Sequence, residues 1–358
     1  MTHATSKDAL RRVAESFLRD EVATSRTTAF EEALAARTGA QHAVAVASST
    51  VAFQIAYRAL GLAHGATVLS SSLADPTVVR STVACGLRPR FVDVDGRGHL
   101  TASAVAAYAS LHGAPAVIVP SHFAGHPCDL AALAAAAPSA LIVDDATDAL
   151  GAMHTDGRMV GASGVAAMTV LGLGPVRAST PMFGAVITTD DARFAARCRT
   201  LRDERAESRA SELHAALGHV QLGRLSATLA LREEIATSYD VALASLALAE
   251  AVRPVAGSRS AWGVYPFRVP AWLRPAVVEQ LASWGIGGRR VSMLLHRHPY
   301  FGRYADVLPA ELPATERFAA EVVFLPTAVA AEDRNVLRIT DALAAAVGGG
   351  AERAHLAG

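Results

Sequence analysis

The sequence predicts an α/β fold with a large, mainly parallel sheet domain followed by a small α+β C-terminal domain. Three observations carry that expectation. Short β-branched runs alternate with amphipathic helical stretches from about residue 40 to 190, the pattern of βαβ units. A long helical stretch then runs from Ser211 to about Glu250 and leads the chain away from the sheet. Beyond it, strand and helix patterns are mixed over roughly residues 240 to 345.

The strand runs fall at residues 42–47, 67–70, 89–94, 116–120, 140–143, 166–171 and 184–188. Each is too short for a helix and is bounded by polar or glycine-rich sequence. Helices are expected between them, at residues 50–62 and 130–136 among others. The later region offers strands at 263–269 and 290–293 and helices at 274–284 and 330–347. The expected division is therefore a large domain over residues 1–238 with N-terminal helices, a small domain over 239–347, and a polar, glycine-rich, flexible tail over 348–358.

With 358 residues, 51% of them hydrophobic and 18% charged, the chain can bury a large core. Its 33 basic and 33 acidic residues cancel, so it lacks the electrostatic footprint of a nucleic-acid or anionic-membrane binder. Small molecules and protein subunits are the expected partners. Cys85, Cys128 and Cys198 are far apart and offer no zinc or redox spacing, which suits a reduced cytoplasm. The N-terminal residues alternate charged and apolar types, unlike a signal peptide, and no run of about 20 apolar residues follows. Lys7 is the only lysine in the chain.

Seven stretches, in order, are VAVASSTVAF, GLRPRFVDVD, PSHFAGHPCDL, LIVDDATDALGA, FGAVITTD, SELHAALGHVQLGRL and GIGGRRVSMLLHRHPYF. Together they resemble the DegT-type sugar aminotransferase family of fold-type I pyridoxal phosphate enzymes, over about residues 27 to 345. That resemblance implies a seven-stranded, mainly parallel sheet, a small C-terminal domain, and a homodimer with its active sites at the subunit interface. The functional residues carry over poorly. The family's aldimine lysine falls on Pro175, and the segment around it holds no histidine that could act in its place. The serine that grips phosphate falls on Val170, and the ring-stacking aromatic on Leu73 or Asp75. The asparagine that reaches a partner's phosphate falls near Glu207, where a carboxylate would repel it. The resemblance thus implies a divergent member that has lost pyridoxal phosphate.

Asp145 matches the family carboxylate that pairs with the pyridinium nitrogen, and it follows a strand, where open α/β sheets bind ligands. Asp144 adjoins it and Asp148 lies three residues on, so like-charge crowding or burial is expected to raise at least one pKa into a general-acid range. A strand-end cap or a salt bridge is the plainer account of Asp145. Ser48, Ser49 and Thr50, between a strand and a helix, suit either an anion cradle or a helix cap. His122 and His296 match family histidines and His126 replaces a glutamine; all three are candidates for the cleft, or ordinary hydrogen-bonded loop residues. His296 and His298 have no third ligand in view, so no metal site is expected. Ser121 beside His122 lacks the surroundings of a hydrolase triad. Arg177 could hold a substrate anion, but a guanidinium is neither an aldimine former nor an easy base.

Three functions fit these residues. One is a cofactor-independent enzyme performing acid–base chemistry on a small molecule in specialised metabolism: a cyclisation, dehydration, isomerisation or condensation. The others are an inactive partner subunit of a true aminotransferase and a small-molecule binding protein.

Overall fold

The structure, a computed structural model, describes residue 11 and residues 25–173, 184–288, 291, 293–305, 311–327 and 338–347. Lys7, Pro175, Arg177 and the 348–358 tail lie outside the described residues.

Helix α1 (Arg26–Thr38) precedes strand β1 (His42–Val46). Then α2 (Ser49–Leu60), β2 (Thr67–Ser71), α3 (Pro76–Ala84), β3 (Arg88–Val92), α4 (Ala102–His112), β4 (Val117–Val119), α5 (Leu130–Ala136) and β5 (Leu141–Ala146) alternate. Strands β6 (Met168–Gly172) and β7 (Ala185–Thr189) complete a seven-stranded sheet of order β1-β7-β6-β5-β4-β2-β3. Only β7 runs against the others in it. This is the α/β architecture expected.

Local chemistry fixes the helix starts. Ser48, Asp75, Thr101 and Asp129 each accept a backbone N–H of the first turn they precede, and Pro76 opens α3, where a missing N–H costs nothing. Both sheet faces are buried. Val44, Val68, Val117, Val143 and Val170 pack on one side against Phe53 and Val78 of α2 and α3, and Cys198 of α6 (Ala192–Asp203) joins them. Leu69, Ile118 and Ile142 face the other side, with Leu130 and Leu133 of α5.

The expected long helix is two: α7 (Glu212–Leu222) and α8 (Leu225–Ala244), separated at Gly223 and Arg224. Leu225 belongs to the core that holds Leu171 and Val186 of the sheet. Ile235, Ala236, Tyr239 and Leu243, further along the same helix, belong to the small-domain core with Trp262, Tyr265 and Phe267. The small domain is built on an antiparallel sheet of order β10-β9-β8 from β8 (Glu250–Ala251), β9 (Tyr265–Arg268) and β10 (Val322–Leu325). Around it lie α9 (Arg274–Ser283), α11 (Pro313–Glu321) and a helix over 338–347, whereas the short α10 (Pro299–Ala305) packs back on β3 of the large sheet, with Phe301 in that domain's core.

Two further expectations need correction. Strand β5 extends three residues past Val143, because parallel pairing with β6 continues through Asp144, Asp145 and Ala146. The strand expected at 290–293 is not formed: Val291 and Met293 lie outside any strand, and β10 supplies the pairing for β9 instead. Among the described residues, no helix is long and apolar enough to cross a membrane.

Candidate active site

A cleft of about 280 Å³ opens beyond the carboxyl ends of β2, β4 and β5, where the sheet meets the small domain. The segment Leu73–Pro76 forms one wall and Ser121–Ala124 another; Asp145, Thr147 and Asp148 lie at the end of β5. Val264, Val291, Met293 and Phe324 close it from the small-domain side. Among the described lining residues there are three carboxylates and no lysine or arginine.

Asp145 is the buried acid of this cleft, 4% exposed. Ser121 Oγ donates to its Oδ2 at 2.7 Å, and Thr147 donates to Oδ1 from both its hydroxyl, at 2.8 Å, and its backbone N–H, at 3.3 Å. Burial nevertheless pushes its pKa up to about 6, with the nearby Asp75 carboxylate adding to the rise and the three hydrogen bonds opposing it. At pH 7 the ionised form is then in about tenfold excess. The group therefore suits a general base at neutral pH and a general acid only below about pH 6, which modifies the sequence-based expectation of an acid.

The crowding of Asp144 against Asp145 does not occur. Neighbours on a strand face opposite sides of the sheet, and β4 and β5 run side by side with Ser121 bridged to Asp145. Ser121 and Asp145 therefore share the cleft side. His122 and Asp144 share the other. There, Cys128 N–H donates to His122 Nδ1 at 2.8 Å, which leaves the ring proton on Nε2 to meet Asp144 Oδ2 at 3.0 Å. Both side chains are fully buried. Although His122 borders the cleft, its imidazole is committed to this pair. Asp148, exposed on the cleft rim, lies near enough to Arg232 to counter the burial that lowers that guanidinium's pKa.

The other candidates lie elsewhere. His126 is fully buried away from the cleft lining: its Nε2 meets the Val252 carbonyl at 3.1 Å and its Nδ1 meets Ser260 Oγ at 2.7 Å. Desolvation lowers its pKa to about 3, so it stays neutral and joins the sheet domain to the small domain. His296 bridges Ser72 Oγ, at 2.7 Å from Nδ1, and Glu316 Oε1, at 2.8 Å from Nε2, within a 3-10 turn and not on a strand. His298 Nδ1 accepts Tyr300 N–H, so the two imidazoles serve different neighbours. Ser48 Oγ accepts Val51 N–H at 3.2 Å, the capping arrangement, and Ser48, Ser49 and Thr50 do not line the cleft. The roles of Thr147 and Ser121 as partners of Asp145 emerge only from the structure; a hydroxyl two residues after a strand-end aspartate is the sequence signal for the first.

A sequence profile of the DegT/DnrJ/EryC1/StrS aminotransferase family matches residues 3–344. The chain belongs to this family. TlmJ, an aminotransferase from Streptoalloteichus hindustanus, is 26% identical with a TM-score of 0.86, covering 95% of this chain and 96% of its own. DesV from S. venezuelae, solved with a ketimine intermediate, is 26% identical with a TM-score of 0.84, covering 95% and 94%. A Brucella abortus DegT/DnrJ/EryC1/StrS aminotransferase, 22% identical, has a TM-score of 0.86 over 96% and 97%, and supports the fold alone.

Pyridoxal phosphate is the cofactor that membership of the DegT/DnrJ/EryC1/StrS family implies, and among the described residues the side chains at the expected phosphate and ring positions do not suit it. Asp145 suits a pyridinium. Val170, at the phosphate-gripping position, is a fully buried core side chain packed with Val143 and Ile187. Leu73 and Asp75, onto one of which the ring-stacking aromatic falls, bring an aliphatic side chain and a carboxylate whose Oδ1 is occupied by Thr77 N–H, 2.8 Å away. None of these offers the hydroxyl or the flat face that the cofactor needs.

Proposed function

We propose that this member of the family performs acid–base chemistry on a small molecule, without a pyridoxal phosphate aldimine, using Asp145 to move the proton. One observation carries the reading: a buried carboxylate, tuned to about 6, sits at the base of the interdomain cleft of a chain whose sole lysine is Lys7. Ser121 and Thr147 occupy both carboxylate oxygens and fix the rotamer, so the proton is taken up at a defined place. Burial of Asp145 at the floor of the cleft, whose walls include Phe123, Val264, Met293 and Phe324, keeps its basicity raised. Loss or gain of a proton next to such a group is the step shared by dehydrations, isomerisations, cyclisations and condensations.

The test is spectroscopic and kinetic. The purified protein is expected to show no visible chromophore after dialysis, and Pro175→Lys is expected not to restore transamination. A band that persists through dialysis and vanishes on borohydride treatment would overturn the proposal. With a substrate in hand, Asp145→Asn should lower turnover by about 10²- to 10⁴-fold. Wild-type turnover should rise through about pH 6 as the base ionises.

A further inference from the structure

We propose that the substrate of this cleft carries an ammonium group, received between the carboxylates of Asp75 and Asp145, on an apolar body that lies against Phe123, Met293 and Phe324. This rests on the reading that the cleft works without pyridoxal phosphate, and it names what occupies the cleft instead.

Among the described residues, the cavity holds an unbalanced negative charge. Asp145 is more than nine-tenths buried and accepts three hydrogen bonds, yet all its donors among the described residues are neutral hydroxyl or amide groups. Asp75 faces the same cavity and works against it, since the repulsion of its carboxylate is part of what raises the Asp145 pKa. A buried carboxylate with no counter-charge among the described residues has its desolvation penalty only partly offset by neutral donors, and a bound cation is the ligand that removes the rest. An anionic group entering here would meet three acids instead.

Asp75 has the right attachment for this task. It is the N-cap of α3, using Oδ1 for Thr77 N–H at 2.8 Å, so its position is fixed by the helix start. The remaining wall defines the rest of the ligand. Phe123 and Phe324 lie with ring centroids 5.5 Å apart at 55°, and both border the cavity together with Met293. Aromatic faces and a thioether favour an apolar body and add cation–π attraction for a nearby ammonium.

The test uses the full chain and three probe sets built on propyl, benzyl and phenethyl skeletons, each as the primary amine, the alcohol and the carboxylate. Binding is read by saturation-transfer NMR titration. At least one amine is expected to bind about tenfold or more tighter than its alcohol and carboxylate counterparts. Asp145→Asn and Asp75→Asn should each remove about tenfold or more of that affinity. Asparagine still caps α3, so Asp75→Asn changes charge while keeping the fold, and unchanged melting verifies this. Equal binding of amine and alcohol, no binding by any amine, or unchanged affinity in both variants overturns the inference. The parent reading fails by a separate signal, a visible chromophore in the same preparation that shifts on adding amine. Absence of both chromophore and amine preference removes the ammonium inference alone.

Discussion

Asp145 costs the folded chain stability at the pH where it is useful. Its pKa rises from an ordinary carboxylate value to about 6, so the folded state holds the proton more tightly than the unfolded one between about pH 4 and 6. The penalty is absent below that window and complete above it, on the order of 3 kcal/mol at most. Asp145→Asn is therefore expected to stabilise the protein at pH 8 and to leave it nearly unchanged at pH 4, as measured by chemical denaturation. Destabilisation at pH 8 would instead mark the carboxylate as a structural cap. The residue could be singled out in the sequence because it matches a family carboxylate just past an apolar run. What separates it from Asp144 could not, since the apolar run ends at Val143 and the alternation that sends one acid to the cleft and the other to His122 depends on pairing with β6.

At the level of elements, the turn at Leu295–Arg297 is held by the His296 side chain and by one backbone bond, Leu295 N–H to the Ser72 carbonyl, and not by a sheet. His296 ties its 3-10 turn to Ser72 beyond β2 and to Glu316 on α11, with both ring nitrogens used. His296→Ala removes both ring hydrogen bonds, while Glu316 keeps Arg297 and Ser72 Oγ keeps the backbone N–H of residue 296, so a loss of about 1–3 kcal/mol is expected in urea unfolding. Met293, three residues earlier, lines the cleft, so amine binding should weaken in the same variant. Ser48→Ala provides the contrast: it should cost about 1 kcal/mol as a lost cap and leave binding unchanged. Elements with strong local signals, such as α5 behind its Asp129 cap, are legible in the sequence to the residue. The 290–293 segment, Arg-Val-Ser-Met, alternates polar and apolar residues as a half-buried strand does, and only tertiary pairing decides that β10 takes that edge.

For the whole molecule, the buried histidines set the acid limit. Desolvation lowers His126 to about 3 and His99 to about 4, so each is neutral when folded and takes up a proton on unfolding below about pH 6.5. Their stabilising contribution is complete above that pH and is lost as the pH falls; two such groups outweigh the single opposing effect of Asp145. The urea midpoint is expected to drop between pH 7 and pH 5. A homodimer, proposed from the family's assembly, should appear as a single species of twice the chain mass in light scattering. Architecture of this kind is readable from alternating strand and helix patterns, whereas which histidines are buried follows from packing that no local pattern encodes. Helix α8 carries a last consequence. Because Leu225 is seated in one hydrophobic core and Tyr239, four turns on, in the other, neither half can melt without fraying the other's wall. Heat should therefore dissolve the chain in one cooperative transition, and a cavity cut at Tyr239 should loosen the distant sheet as surely as the domain that surrounds it.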